Sequence, residues 1–354
     1  MVVAVAMSGG VDSTVVAALL KQSGFEVIGV SMVGWRHSLC CSFEDVARAR
    51  LMARRLGIRH YLIDLMEAFR DQLVMPYVEA RLQGLTPNPC PSCNRDFKFG
   101  RMLAGLRRRT PAEALASGHY ARLCVDPVSH RLGLRRASEV ARDQSYMLWQ
   151  LSQAQLRQLL FPLGELSKAD VRAYARDLDL PEVAARPDSQ DLCFLVPDQP
   201  SFWQEQADGR YGPGDLVDAS GKVLGQHKGM VFYTPGQRRG LGVSADTRLY
   251  VQSLCPSRNQ IQVGPAPEPQ FRRLRLQQLN WVACEPQSEP LTCLAQTRLH
   301  GKMVLAQIHP NPGLSSAWVE FKESIVQVAA GQSVVCYSPD GDVLLGGIVS
   351  PEQG

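Results

Sequence analysis

A glycine-rich segment near the N-terminus, Ser8-Gly9-Gly10-Val11-Asp12-Ser13, has the composition of a phosphate-binding turn. It follows an uninterrupted apolar run at residues 2–7 and opens a helical pattern from Val11 to Gln22. Such a strand–loop–helix junction lets backbone N–H groups and the helix N-terminus face an anion. The lysine-containing G-x-x-x-x-G-K-[ST] pattern is missing, which disfavours P-loop transfer of a γ-phosphate. We therefore expect a nucleotide phosphate site, against the alternative of an ordinary glycine-rich turn.

Ten cysteines form the second group of residues with chemical potential. In a reducing compartment, clustered cysteines indicate redox, sulfur-carrying or metal-binding roles rather than a disulfide framework. Cys90-x-x-Cys93 could belong to a zinc site, but no second C-x-x-C or histidine pair lies at the required spacing. Cys193 alone could be a small buried hydrophobe. Cys40-Cys41 are expected to be structural, because adjacent cysteines rarely form a relaxed disulfide.

The elements around these residues alternate in the first half of the chain. Strands are predicted at residues 2–7, 25–32, 58–63 and 114–118, and helices at 11–22, from Ser42 to about 56, at 66–83 and at 94–109. Alternation at this spacing indicates βαβ units and a parallel sheet covered on both faces. The site should then lie at the carboxyl ends of the strands, where the first turn presents its glycines.

The second half of the chain changes pattern twice. From about Leu151 it is helical, with Ser152 and Ser167-x-x-Asp170 as caps and Pro181 as a stop. After residue 211 short strands and turns predict two small β modules, separated near residues 265–269. We accordingly divide the chain into residues 1–210, 211–268 and 269–354.

Composition restricts the class of protein further. Charged residues make up 20% of the 354, the net charge is +4, and 31 Arg stand against 7 Lys. Arg excess suits phosphate and base contacts, although a G+C-rich genome produces the same bias. No stretch has the length and apolar character of a membrane helix, and the N-terminus lacks a basic n-region and a cleavage site. We expect a cytoplasmic protein without a membrane partner.

The Ser8–Ser13 loop resembles the pyrophosphate loop of the ATP-pyrophosphatase superfamily. Its members cleave ATP between the α and β phosphates to adenylate a substrate, with Mg²⁺ offsetting the charge of the departing pyrophosphate. The resemblance implies an adenine nucleotide α-hydrolase-like, Rossmann-type α/β domain. By this resemblance, the adenosine and phosphates would contact a set of ten residues. These are Ala6, Met7, Ser8, Gly9, Gly10, Val11, Asp12, Ser13, Met32 and Gly118.

The cysteine segments narrow the resemblance to one family. Residues 86–99, which contain Cys90 and Cys93, and residues 189–194, which contain Cys193, resemble the two cysteine motifs of the bacterial tRNA-specific 2-thiouridylases. Further likeness covers nearly the whole chain, at Gly118-His119-Tyr120, residues 142–146, Gly225-x-His227-x-Gly229, residues 234–241 and residues 331–333. In this family the resemblance implies a small central module and a C-terminal β-barrel that grip tRNA.

The family implies a reaction and its residues. The 2-oxygen of the wobble uridine of lysine, glutamate and glutamine tRNAs would be adenylated and replaced by sulfur. Cys193 would receive sulfur as a persulfide from a cysteine desulfurase or a sulfur relay protein, and Cys93 would attack it, leaving a transient disulfide. The residues implied to contact tRNA are Asn88, Pro89, Cys90, His119, Arg142, Asp143, Gln144, Arg298, Leu299 and Gln332.

Cys90 departs from one common form of the family, in which an aspartate occupies this position. An alternative follows, in which Cys90, Cys93 and Cys193 bind three irons of a [4Fe–4S] cluster and the fourth iron carries sulfide. Two alternatives to thiolation also stay open. One is a synthetase that adenylates a small metabolite, and the other is a tRNA-binding sulfur carrier without catalysis.

Overall fold

The N-terminal part of the chain forms a parallel sheet with helices on both faces. In this computed structural model, the described residues are 1–36, 38, 41–126, 130–185, 192–195, 200–243, 247–268 and 270–351. The sheet strands are β1 (Val2–Ala6), β2 (Glu26–Val33), β3 (Arg59–Asp64), β4 (Ala114–Ala116) and β7 (Leu159–Leu160). They lie in the order β3-β2-β1-β4-β7, and all four pairings are parallel. The predicted α/β class is confirmed.

The helices of this unit include three that begin at a predicted capping serine. They are α1 (Val11–Gln22), α2 (Phe43–Arg55), α3 (Met66–Phe69, Arg70–Val74 and Met75–Leu82 in continuity), α4 (Cys90–Ser92, Cys93–Arg101 and Met102–Arg107 in continuity), α5 (Gln153–Leu156), α6 (Lys168–Asp177), α7 (Pro181–Ala184) and α8 (Pro200–Ala207). Reciprocal capping boxes at Ser42, Ser152 and Ser167 satisfy the first N–H groups of α2, α5 and α6.

Three local predictions are wrong for identifiable reasons. Helix α4 begins at Cys90 rather than near Asn94, because Pro91 falls in its first turn, where a missing N–H costs nothing. For the same reason Pro181 opens α7 instead of stopping α6, which ends at Asp177. A hairpin of β5 (Ala121–Val125) and β6 (Leu132–Arg136) follows β4, where no strands were predicted.

Two separate β structures follow α8. The first is a four-stranded sheet in the order β10-β11-β8-β9, built from β8 (Gly214–Val217), β9 (Val223–His227), β10 (Tyr250–Cys255) and β11 (Gln260–Gly264). The second is a closed barrel in the order β12-β15-β14-β13-β16-β17. Its strands are β12 (Phe271–Trp281), β13 (Leu291–Gln296), β14 (Met303–Pro310), β15 (Ser316–Ile325), β16 (Ser333–Tyr337) and β17 (Val343–Val349). The predicted barrel is confirmed, whereas the exact domain bounds stay a prediction.

A buried contact fixes the barrel against the N-terminal unit. Trp149 is fully buried and donates its Nε1–H to Ser333 Oγ at 3.1 Å, and Tyr146 OH donates to the Ser333 carbonyl at 2.7 Å. A Cβ on Gly346 would come within 2.5 Å of the Trp149 ring, so the strand needs glycine there. This packing holds the segment around residue 145 in place. Within the described ranges, no helix has the length and apolar character needed to cross a bilayer.

Candidate active site

The loop between β1 and α1 has the backbone of an anion site. Gly9 has a φ of 75°, and a Cβ there would come within 2.7 Å of Arg48 Cβ and 2.8 Å of the Ala49 nitrogen. Gly10 is the N-cap of α1 and supplies no side-chain cap, while Ser8 N–H donates to Ser13 Oγ at 3.3 Å. The first-turn N–H groups of α1 are therefore available to a negatively charged group.

The loop lies at the switch point of the sheet. Strand order reverses between β1 and β4, and ligands of open α/β sheets bind in that crevice. Gly118, just after β4, packs so closely that a Cβ on it would come within 2.8 Å of Asp12 Cβ. Among the predicted adenosine contacts, Ala6 is the last residue of β1, Met7 follows it, and Met32 is the penultimate residue of neighbouring β2. The ten predicted nucleotide residues are thus gathered at one edge, and their ligand roles stay a prediction.

Asp12 is the acceptor of a small charged network. Lys168 Nζ lies 2.8 Å from each Asp12 carboxylate oxygen, and Tyr120 OH donates to Oδ1 at 2.8 Å. The Lys168 side chain is only 7% exposed, and its ammonium lies 5.7 Å from the centroid of the Tyr120 ring. Lys168 is the first residue of α6, so Ser167 capping directs it towards the loop. The network fixes Asp12 and neutralises its charge beside the anion site.

We expect Tyr120→Phe to slow ATP cleavage by roughly tenfold, because a hydrogen bond to a charged acceptor is worth about 1.5–3 kcal/mol. The ring packing and the Lys168 ion pair would remain. Steady-state release of pyrophosphate measures the effect. Unchanged rates in a folded Tyr120→Phe protein would show that this hydroxyl does not position Asp12.

A second hydrogen-bond network lies beside the start of the loop, at Met7. Ser31 Oγ donates to the Met7 carbonyl at 2.6 Å and lies 2.8 Å from His60 Nε2. Since the serine proton goes to Met7, Nε2–H of His60 donates to Ser31. Its Nδ1 is buried without a partner among the described residues. Burial, with a smaller effect of Arg50, lowers the pKa of His60 to about 4.

This depressed pKa predicts acid destabilisation. His60 is neutral in the folded chain and titrates near pH 6.5 when unfolded, so its contribution is complete above pH 6.5 and is lost as the pH falls towards about 4. His119 should also destabilise the fold at low pH, because burial lowers its pKa well below the usual value. We expect the urea midpoint of unfolding to fall as the pH is lowered through this window. In His60→Gln, the decrease in midpoint per pH unit should be smaller. An identical slope in His60→Gln would contradict the assignment.

Cys90 and Cys93 lie in the first turns of α4. From Cys93 to Arg101 the helix is widened to π-type i→i−5 bonding, a feature that often marks functional sites. Cys90 N–H donates to Asn88 Oδ1 at 3.2 Å, and Cys93 is 7% exposed. Burial raises the pKa of the Cys90 thiol, opposed by the charge of Lys98. Cys90 is consequently a poor thiolate in this state.

Aromatic packing brings the Cys193 segment to the same core as Cys93. Phe194 contacts Phe69 at 6.1 Å and Tyr77 at 5.3 Å between ring centroids. Phe69 contacts Phe97, one turn after Cys93, at 5.1 Å. Cys193 is half-buried against this cluster, and both cysteines are thiols. The remaining motif residues Ser189, Gln190 and Asp191, like Cys40, lie outside the described residues.

The cysteines are not arranged as a ready metal site. Within the described part of the chain, no three His, Cys, Asp or Glu side chains are grouped as ligands for a metal ion. Cys90, Cys93 and Cys193 would therefore need to move before they could share a cluster.

The predicted tRNA-contacting residues fall into three groups, of which two adjoin the β5–β6 hairpin and the barrel. Arg142 is exposed, but Asp143 is 4% exposed and accepts from Arg136, Ala137 and Ser145. Gln144 exchanges two backbone-directed hydrogen bonds with Tyr120, at 3.0 and 2.8 Å. The second group, Arg298 and Leu299, lies in the β13–β14 turn of the barrel. Arg136, which donates to Asp143, also contacts Met303 at the start of β14, so one side chain links the two groups.

The other predicted contacts surround α4. His119 is half-buried beside Phe99 and Phe161 and shares a 2.8 Å hydrogen bond with Ser117. Gln332 of the barrel donates to the Thr86 carbonyl, two residues before Asn88. Pro89 and Cys90 follow directly. Their contacts with RNA stay a prediction.

Sequence reasoning missed Lys168 as a site residue. It lies 156 residues from Asp12, and its position at a helix start is explained by capping alone. Sequence analysis also did not identify Arg81, which the structure places as a buried cation beside the cysteine segment. Neither residue belongs to a motif, so only the fold reveals its partners.

Three family models match consecutive parts of the chain. They are described as tRNA methyl transferase HUP domain over residues 1–197, tRNA methyl transferase PRC-barrel domain over residues 202–265, and aminomethyltransferase beta-barrel domain over residues 271–349. The fold and the cysteine-bearing site thus define a HUP-domain protein with two appended β units.

Curated relatives identify the family within that class. The chain is 40% identical to tRNA-specific 2-thiouridylase MnmA 1 of Caldanaerobacter subterraneus, over 98% of this chain and 96% of the relative. It is 41% identical to tRNA-specific 2-thiouridylase MnmA of Chloroflexus aggregans, over 99% of both. The chain belongs to the tRNA-specific 2-thiouridylase family, and the resemblance drawn from its motifs is confirmed.

A solved structure of a 4-thiouridine synthetase–RNA complex with bound ATP is also similar. It is 18% identical and covers 58% of this chain and 50% of that chain, with a TM-score of 0.39. A likeness this distant carries no argument about function.

Proposed function

We propose that this chain is an ATP-dependent tRNA-uridine 2-sulfurtransferase. The observation that carries the proposal is the continuity between its anion site and its cysteines. Asp12 packs on Gly118, the adjacent His119 packs on Phe99 of α4, and α4 carries Cys93. A base activated beside the loop would therefore lie next to the sulfur-bearing side chains.

The first half-reaction is adenylation of the uridine. The 2-oxygen attacks the α-phosphorus of ATP, the bond to the β-phosphate oxygen breaks, and pyrophosphate leaves. The N–H groups of α1 would hold the phosphates, and Asp12, neutralised by Lys168, would lie beside them. Mg²⁺ would supply charge compensation for the departing pyrophosphate.

The second half-reaction transfers sulfur. Cys193 carries it as a persulfide, and the Cys93 thiolate attacks the Cys193 sulfur. A Cys93–Cys193 disulfide forms, and hydrosulfide leaves, attacks C2 and expels AMP. A cellular thiol must then reduce the disulfide. The shared aromatic cluster supports this pairing, since it holds both segments within one core.

The cluster alternative predicts a different sensitivity. If Cys90, Cys93 and Cys193 bind a [4Fe–4S] cluster, thiolation should be lost after air exposure followed by iron chelation. The persulfide route predicts full activity after the same treatment once thiols are reduced. Iron content and the visible absorption spectrum of anaerobically purified protein give a readout independent of activity.

The proposed substrate is the wobble uridine of lysine, glutamate and glutamine tRNAs, and the proposed sulfur donor is a cysteine desulfurase or a relay protein. A cytoplasmic location accords with both. Arg142 and Arg298 are exposed on neighbouring segments, which supports contacts with the RNA backbone.

ATP cleavage tests this function against its rivals. We expect AMP and pyrophosphate to form only with unmodified tRNA. AMP formation without tRNA would favour the small-metabolite synthetase, and tRNA binding without AMP would favour the carrier. Since the matching family models are described as methyl transferase domains, a parallel reaction contains tRNA and S-adenosylmethionine but no ATP. Methyl transfer to tRNA without ATP would overturn the proposal.

A further inference from the structure

A cavity of about 660 Å³ lies where all three parts of the chain meet. Asn88 comes from the cysteine segment, Leu192 and Leu195 flank Cys193, and Gln332 comes from the barrel. The central unit contributes residues 228 and 231–234, together with 237, 239 and 240. These positions fall within or beside the Gly225–Gly229 and Thr234–Leu241 motifs, for which the thiolation chemistry provides no role.

The walls of this cavity carry positive charge without acidic residues. Arg81, Lys228 and Arg239 line it, and none of the described lining residues is an aspartate or glutamate. Arg81 is 4% exposed and donates to the carbonyls of Val231 and Tyr233 at 2.7 and 2.6 Å. Its other terminal nitrogen donates to the Leu85 carbonyl and to Thr86 Oγ1, each at 3.3 Å, so all of these partners are neutral, and its Nε is buried without a partner among the described residues. The cavity thus favours an anion.

The same walls provide flat apolar surfaces and amides. Trp203 and Phe232 lie 6.2 Å apart between ring centroids, and the Lys228 ammonium lies 4.9 Å from the centroid of the Phe232 ring. Asn88, Gln237 and Gln332 supply amide groups. Aromatic faces beside cations and amides match an unpaired nucleotide, whose base stacks and whose phosphate is anionic.

We propose that this cavity binds the nucleotide adjoining the target uridine, so that the central unit reads the RNA next to the reacting base. The proposal rests on the proposed function and adds a second nucleotide site to it. Since Leu192 and Leu195 form part of the wall, occupancy of the cavity would also hold the Cys193 segment against α4. An RNA without that base would lose both effects.

The test uses an unmodified anticodon stem-loop of glutamate tRNA and the full-length protein. The nucleotide on either side of the target uridine is replaced in turn by an abasic residue, and binding is measured by fluorescence anisotropy. We expect one of the two replacements to weaken binding by at least about fivefold, as base–aromatic stacking predicts. Equal binding of both abasic loops and the intact loop would overturn the proposal.

Variants locate the effect. In Lys228→Gln/Arg239→Gln, the loss of affinity caused by the abasic residue should shrink to less than about half of its wild-type size. The slope of the logarithm of the binding constant against the logarithm of the salt concentration should fall by about one for each removed cation. Arg238→Gln is the matched control, because Arg238 is exposed and does not line the cavity. Equal effects of the control and the double variant would overturn the assignment of the cavity. Circular dichroism confirms that both variants are folded.

A separate arm distinguishes this proposal from the proposed function. Wild-type protein is assayed for 2-thiouridine on intact tRNA under the same conditions. Thiolation without an abasic penalty would leave the function and remove the cavity site. A penalty found only when the target uridine itself is abasic would assign the cavity to the reacting base and overturn the neighbour assignment.

Discussion

Cys193→Ser should abolish thiolation, lowering product formation by at least about 10³-fold, because a hydroxyl can neither carry sulfane sulfur nor form a disulfide with Cys93. The tRNA-dependent formation of AMP should persist, since the anion site and the Asp12 network do not involve Cys193. Mass analysis of tRNA nucleosides and release of pyrophosphate measure the two half-reactions separately.

The matched control for this variant is Cys255→Ser. Cys255 is half-buried at the end of β10, near Ser257, and has no place in the proposed chemistry. The Cys255→Ser protein should therefore form 2-thiouridine in tRNA at the wild-type rate. Full thiolation by folded Cys193→Ser would contradict the assignment of the sulfur carrier, and loss of AMP formation in the same variant would show that the half-reactions are not separable.

Lys168→Met should have the second large effect, on the first half-reaction. Without the ammonium, the Asp12 carboxylate stands unneutralised beside the phosphate site and repels the nucleotide. Loss of a preorganised charge near the reacting phosphates commonly costs about 10²–10³-fold in rate. We expect a reduction of that order in pyrophosphate release, together with a raised KM for ATP.

Stability separates this electrostatic effect from unfolding. Breaking a buried ion pair costs about 3–5 kcal/mol, and less where one partner reaches solvent, as Asp12 does. Asp12→Asn/Lys168→Met removes both charges, so it should regain most of the unfolding midpoint and lower the KM for ATP again, because no carboxylate is left to repel the nucleotide. Lys21→Met, on the same helix as Asp12 but bonded to the Leu56 carbonyl, is the control. A wild-type rate and KM in Lys168→Met would refute the role of the pair.

The local elements of the N-terminal unit were predictable because their signals are short-range. Ser42, Ser152 and Ser167 each cap a helix through a residue three positions later, and Val11–Gln22 is a helix with the predicted bounds. The errors at Cys90 and Pro181 have one cause, which is that proline reads as a breaker although the first helical turn accepts it.

The site was predictable only where its residues belong to motifs. Ser8–Ser13 and the cysteines can be found by spacing, and the switch point explains why Gly118 joins them. Lys168 and Arg81 could not be found, because their partners are 156 and about 150 residues away and depend on how the units pack. The burial of Asp143 is equally invisible in the chain, since Arg136 and Ser145 enclose it only after the hairpin folds.

The most direct measurement is mass analysis of nucleosides from unmodified glutamate tRNA incubated with anaerobically purified protein, ATP, Mg²⁺ and a persulfide donor. We predict ATP-dependent 2-thiouridine at the wobble position, absent when ATP is omitted. A tRNA that binds the protein, in the presence of a competent donor and ATP, yet yields no 2-thiouridine would contradict the proposed function.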